Sequence, residues 1–246
     1  MKALSAGVLL NLVEDLRGLE HTPRAVRLCS VVSPELDEAA SWALPIGRRD
    51  AVLAGLRVAQ FGGRAECYVE CPRCEEGLEF DIDVLALASS PSDDAGTAVF
   101  GDDTWRVTYR LPSSADLDVI ASLTDADAAR VILLDRCVEQ IVGTDGVSRA
   151  TVGDLPAALR DALEDEMSRR DPHGATTVAA TCAGCGYAWT ALFDVAGYLW
   201  RELEAEAGRL LREVDALARA YGWSESEILG LSAQRRGAYL GLAGAW

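Results

Sequence analysis

Histidine is nearly absent from this chain. Only His21 and His173 occur, and neither lies in an H-x-E or H-E-x-x-H setting. A catalytic zinc keeps one coordination position open and draws on a nearby histidine or carboxylate, so no such site is expected. The deaminase pattern, H-x-E followed by P-C-x-x-C, is missing as well. Basic residues are also few, with 23 Lys and Arg against 39 Asp and Glu and a net charge of −16. Such a field repels a phosphate backbone, and no basic run exceeds the doublets Arg48-Arg49, Arg169-Arg170 and Arg235-Arg236, so nucleic acid is not an expected partner. No segment of about 18 apolar residues is present to cross a bilayer. The apolar start at Val8-Leu9-Leu10 is cut by Asn11, Glu14 and Asp15 before it takes signal-peptide form. The expected location is therefore the cytoplasm. Aromatics make up 7% of the chain, which leaves a mostly aliphatic core. No paired carboxylates, Ser-His arrangement or Gly-rich phosphate loop stands out, so neither catalysis nor a small-molecule substrate is expected.

Half of the 246 residues are apolar and a quarter charged, the balance of a globular protein large enough to bury a core without help from metal. Leu4, Val8, Leu12, Leu16 and Leu19 recur at helical spacing over 2–18, and a second helix is predicted over 34–43. Pro45 closes that helix, and residues 46–61 form another, stopped by Gly62-Gly63. A β pattern follows on both sides of Cys71-Pro72-Arg73-Cys74, through Cys67-Tyr68-Val69 and then Leu78 to Ile82. Residues 89–96 read as a loop and Trp105, Val107 and Tyr109 as a strand. Helices are predicted over 115–123, with Ser113 or Ser114 as cap, over 125–142, with Val131, Leu134, Val138 and Ile141 on one face, and over 154–167. A polar loop, 168–174, leads to a second strand, C-x-x-C, strand unit around Cys182-Ala183-Gly184-Cys185. From Val195 an apolar stripe through Leu199, Leu203, Leu210, Leu211, Val214, Leu217 and Tyr221 marks a helix of roughly 25 residues ended by Gly222. Ser224 with Glu227, then Ser232, cap two short terminal helices.

Each C-x-x-C puts two thiols on one tight turn, half of what a tetrahedral Cys₄ zinc site requires, so Cys71, Cys74, Cys182 and Cys185 together make one closed site. The 107 residues between Cys74 and Cys182 far exceed the roughly 15–20 of a simple ribbon. The insert must then be a subdomain sprouting from the ribbon. Two other readings remain open: metal-free or redox-active dithiols, and two separate sites completed by other chains. A redox pair belongs at a helix N-terminus in a βαβ unit, whereas both pairs here lie between strands. Cys67, four residues before Cys71, is either a substitute ligand or a core residue. Cys29 and Cys137 read as core, His173 as a loop residue. The acidic groups Glu202, Glu204, Glu206 and Asp161, Glu164, Asp165, Glu166 read as solvated helix faces.

The expected fold is α+β, mainly helical, with a split Cys₄ zinc ribbon. Its parts are an N-terminal helical region (1–63), the ribbon (64–88 and 175–193), an inserted strand-plus-helices subdomain (89–174), and a long helix with a short helical tail (194–246).

Several phrases together resemble one family. They are Leu44-Pro45-Ile46-Gly47-Arg48-Arg49-Asp50, Cys71 to Cys74 with Leu78-Glu79-Phe80, Tyr109-Arg110-Leu111-Pro112-Ser113, Cys182 to Cys185 with Phe193-Asp194-Val195, and the tail from Leu217 to Tyr239-Leu240. The chain resembles the T4-type phage baseplate proteins, in the zinc-ribbon branch found with extracellular contractile injection systems. The resemblance implies one structural Zn²⁺ per chain and a role as a baseplate hub component or hub assembly chaperone. It further implies baseplate, hub or spike proteins as partners, in the cytoplasm or within the assembled particle. One departure is that Glu75, not glycine, follows Cys74, which bears on the first turn though not on its ligands. The tail aromatics Trp223, Tyr239 and Trp246 are candidate partner anchors, the alternative being that they pack back on the long helix. A nucleic-acid-binding zinc-ribbon regulator is the competing function, disfavoured by charge.

Overall fold

The computed structural model describes residues 1–89, 96–149 and 151–244, so Trp246 and most of the 89–96 segment lie outside the described residues. Helices α1 (Ala6–Leu16), α2 (His21–Val32), α3 (Glu38–Ala43) and α4 (Ile46–Phe61) open the chain. Hairpin β1 (Arg64–Glu70) and β2 (Gly77–Asp83) follows, then α5 (Val84–Ser89). The insert holds β3 (Ala98–Gly101), β4 (Trp105–Tyr109), α6 (Ser114–Ile120), α7 (Ala126–Cys137), β5 (Val138–Gly143), β6 (Ser148–Arg149) and α8 (Ala157–Arg170). The second hairpin, β7 (Thr177–Thr181) with β8 (Ala188–Leu192), leads into α9 (Val195–Tyr221), α10 (Glu225–Leu229) and α11 (Ala233–Leu242).

Three apolar clusters organise these elements. The main one packs α1, α2, α4 and α9 through Leu9, Leu28, Leu53, Leu56, Leu199 and Leu203, and takes in the hairpin bases through Ala65, Ile82 and Phe193. The insert has its own, around Val107, Tyr109, Ile141 and Leu163. A small third cluster joins the end of α9 to the tail through Leu217, Ile228 and Leu240. Helix α9 runs from the first cluster to the third, and Gly222 stops it in the left-handed region (φ 69°), where glycine carries no Cβ penalty. Along it Leu210 is buried, whereas Leu211, expected on the same stripe, faces outward.

The predicted helix over 125–142 breaks at Cys137. Val138 and Ile141 instead pair with Tyr109 and Val107 in a β3-β4-β5-β6 sheet. Val138, Ile141 and Val142 are β-branched and suit a pleated surface, and the side of β4 not paired with β3 supplies backbone partners for this segment. Helix α2 lies between the predicted elements, and Pro23 sits in its first turn, where its missing N–H costs nothing.

The acidic residues on α8 and α9 are not all solvated. Glu202 accepts from Arg57 Nε (2.9 Å) and Nη2 (2.8 Å), and Arg57 Nη1 also donates to the carbonyls of Gly62 and Arg64. This buried fork fastens the end of α4 and the start of β1 to α9. Asp161 and Glu164 both accept from Arg130, but on the solvent-exposed face, as expected. In the insert, fully buried Asp116 accepts from the Ser113 N–H (2.9 Å), from Arg110 and from Arg136 (3.0 Å).

Helix α4 begins after Pro45, which cannot cap it with a side chain. Its first free donors find partners in the insert. The Ile46 N–H reaches the Pro112 carbonyl (3.0 Å), and the Gly47 N–H reaches Asp171 Oδ2 (2.9 Å) across 124 positions. A Cβ at Gly47 would stand 1.8 Å from Asp171 Oδ1, so only glycine fits.

Candidate metal centre

Two six-residue turns, one at the tip of each hairpin, carry the four cysteines. In the first, the Cys71 N–H donates to the Glu76 carbonyl (2.9 Å) and the Glu75 N–H returns to the Cys71 carbonyl (2.9 Å). In the second, Cys182 N–H to the Tyr187 carbonyl (2.8 Å) and Gly186 N–H to the Cys182 carbonyl (2.9 Å) repeat the pattern bond for bond. The turns require a left-handed residue after the second cysteine, filled by Glu75 (φ 61°) and Gly186 (φ 69°). Glu75 is the sole non-glycine at positive φ among the described residues. The missing glycine therefore leaves the turn unchanged and places strain at Glu75, since an L side chain in this region costs about 1–2 kcal/mol.

The four sulfurs all lie within 4.8 Å of one another. Cys71 and Cys185 approach to 3.7 Å, Cys74 and Cys182 to 3.6 Å. Each close pair joins one turn to the other. Both distances far exceed the roughly 2.05 Å of a disulfide. They match the edge of a sulfur tetrahedron, roughly 3.8 Å for bonds of about 2.3 Å to zinc. Cys71 and Cys182 are buried while Cys74 and Cys185 face outward. The donor set fits a closed, four-thiolate metal site with no position left for a substrate.

The thiols influence one another strongly. Burial works to raise Cys71, but the N–H groups of Arg73 and Cys74 and the thiols of Cys185 and Cys74 outweigh it and bring its pKa to about 7. At Cys74 the Glu76 N–H acts downward, while Cys185 and Cys182 crowd the sulfur and push it to about 12. Such a cluster cannot carry four negative charges unaided, and a bound divalent cation is what would make the fully ionised state favourable.

The two hairpins share no backbone ladder: β1-β2 and β7-β8 are separate two-stranded sheets. Their bases meet through Phe80, Val178 and Phe193 at the main cluster, and their tips meet at the sulfurs.

The other singled-out residues lie elsewhere. Cys67 stands outside the sulfur cluster, its Sγ 3.8 Å from the Ala65 carbonyl and packed against the main core. Cys29 and Cys137 are buried, and burial pushes each thiol up to about 12. His173 is not among the clustered ligands, and His21 pairs through Nε2 with Asp194 (2.9 Å), the N-cap of α9. Trp223 stacks on Tyr221 (4.6 Å between centroids) and meets Tyr239 edge-on (4.9 Å), both rings half-buried against the tail cluster. Asp171, Arg57 and Glu202 were missed as organising residues. Pro45 at an N-cap was the available signal for Asp171, because it demands an acceptor from elsewhere.

No helix among the described residues is long and apolar enough to cross a membrane. No curated protein and no solved structure matches the chain. The family model described as T4 bacteriophage base plate protein matches residues 28–199, a span from α2 into α9 that contains both cysteine turns and the whole insert. Well over half of the chain is thus covered, and the protein belongs to the T4 bacteriophage base plate protein family.

Proposed function

We propose that this protein is a non-enzymatic part of the baseplate or hub of a contractile injection particle, as a permanent subunit or as an assembly factor. It acts by binding other proteins, and Cys71, Cys74, Cys182 and Cys185 hold one structural zinc. The observation that carries the reading is the baseplate family match across both cysteine turns. The four-sulfur geometry supports the metal, and the net charge of −16 weighs against nucleic acid.

The tail is proposed as one partner surface. Trp223 and Tyr239 are only half-buried by their own cluster, and Leu242 beside them is 79% exposed. An anchor at the centre of an interface is worth roughly 2 kcal/mol or more. Because the rings also close the tail cluster, Leu242→Glu separates the roles better than truncation does. The test is co-purification of tagged protein with baseplate, hub and spike proteins from its own cells, read with particle counts by electron microscopy. Capture of a baseplate component, and loss of particles on deletion, are expected. Normal particles without the protein, together with no captured component, would refute the reading.

A further inference from the structure

The two hairpins differ most at their edges. Residues from both faces of β1 (Cys67, Tyr68, Val69) and of β8 (Ala191, Leu192) line one narrow cavity of about 160 Å³, whereas β2 and β7 contribute inward-facing residues alone. The hairpins therefore stand side by side, with β1 and β8 facing each other across the gap and β2 and β7 left as the outer edges.

Hydrogen bonding decides which groups those edges present. The Cys182 N–H bonds to the Tyr187 carbonyl and the Phe193 N–H to the Thr176 carbonyl, at the two ends of the β7-β8 ladder. Bonded and unbonded positions alternate in an antiparallel pair, so Val178 and Ala180 bond to β8 while Thr177, Ala179 and Thr181 turn their N–H and C=O groups away from it. All three are exposed, and no hydrogen bond from another element reaches these groups among the described residues.

An open edge is a template for another strand, and proteins normally guard it with charge or cover. The first hairpin uses both. On β1 the Arg64 carbonyl accepts from Arg57 and the Glu66 carbonyl from the Tyr198 hydroxyl (2.8 Å), and β2 presents exposed Glu79, Asp81 and Asp83. The second hairpin uses neither. From Gly174 to Phe193 there is no charged residue and no proline, in a chain that is a quarter charged.

We propose that β7 pairs with β7 of a second copy, antiparallel about a twofold axis, to make one continuous β8-β7-β7′-β8′ sheet. The open groups set the register, with Ala179 opposite its own copy and Thr177 opposite Thr181, so that no charge opposes another on the exposed face. Neutrality selects the occupant. At a net charge of −16 two copies repel wherever acidic surfaces meet, and β7 is an outer edge where they do not, whereas a basic partner would gain its attraction at β2. The inference goes beyond the baseplate role and does not depend on it.

The test is sedimentation of the full-length protein, as purified, from about 10 to about 500 µM, concentrations suited to a small interface. A monomer–dimer equilibrium is expected, at least roughly threefold tighter in about 0.5 M than in about 0.05 M NaCl, because salt screens the repulsion between acidic copies. Ala179→Lys sets like charges opposite each other and should weaken the dimer at least roughly tenfold. Thr190→Lys, at the ladder position opposite Ala179 on β8, changes the net charge equally and should leave the dimer in place. Both sites are exposed, so neither variant should lower the melting temperature. Amide exchange at Thr177, Ala179 and Thr181 should slow as the dimer forms. A monomer throughout, a dimer that Ala179→Lys leaves intact, a dimer without slowed exchange on β7, or protection of those amides only in a complex with a different protein would each overturn self-pairing.

Discussion

The two cysteine turns make the same hydrogen bonds with different residues at the one position that matters. The second satisfies its left-handed residue with Gly186, and the first forces Glu75 into the same region. Their supports differ too. The first hairpin is fastened at its base by Arg57, which binds the carbonyls of Gly62 and Arg64 and pairs with Glu202 of α9. The second runs directly into α9 through Phe193 and Asp194. A shared backbone geometry held against local strain in one copy indicates that something beyond each turn fixes it. A metal bound by both turns would do so, because a tetrahedral ion demands the same bite from each pair of sulfurs.

The comparison breaks most severely if a ligand is removed. Cys71→Ser or Cys185→Ser should reduce zinc from one per chain to none, whichever turn is altered. Binding energy for structural zinc is of the order of 10–16 kcal/mol and is spent on folding the site. With no ladder between the hairpins, both tips should lose amide protection together while the main helical cluster stays folded. Cys29→Ser and Cys137→Ser should leave zinc in place.

Breaking the fork at the base of the first hairpin should be asymmetric. Arg57→Met leaves the half-buried Glu202 and the carbonyls of Gly62 and Arg64 without their donor, a loss of about 1–3 kcal/mol. Thermal melts and hydrogen exchange should show β1 weakened well before β7.

Acid should act on the insert that separates the turns in sequence. Burial works to raise Asp116, but hydrogen bonds from Arg110 and from Ser113 hold it at about 2, below its ordinary 3.8. Its folded pKa is depressed, so its stabilisation is present above pH 3.8 and is lost as pH falls toward about 2. An acid titration followed by tryptophan fluorescence should show a transition in that window that Asp116→Asn removes.

Exchanging the turn residues gives the smallest effects and the sharpest comparison. Gly186→Glu should cost about 1–2 kcal/mol, the strain the first turn already bears. Glu75→Gly should relieve it, with a net gain of about 0.5–1 kcal/mol once the greater freedom of an unfolded glycine is counted. Urea melts of the two single variants would show opposite signs.

Much of this was legible in the sequence because the signals were local. Helix α4 and the long α9 followed from apolar period and glycine stops, the hairpins from alternation, and the sulfur cluster from two C-x-x-C turns. What escaped depends on partners far away in the chain. Val138 and Ile141 suit a helix face as well as a strand, and only the β4 edge decides between them. Glu202 belongs to an acidic run, and only Arg57, 145 positions earlier, makes it a half-buried anchor. Asp171 closes a loop by sequence and caps α4 in space. Trp223 and Tyr239 were legible as tail aromatics, and the small cluster these two share with Leu217 and Ile228 emerges only when α10 and α11 fold back on α9.

The most direct measurement is native mass spectrometry of the full chain purified without added metal, paired with hydrogen exchange at residues 71–76 and 182–187. One zinc per chain is predicted, with both turns protected and both exposed together after chelation. A metal-free chain whose two turns remain protected would contradict the account.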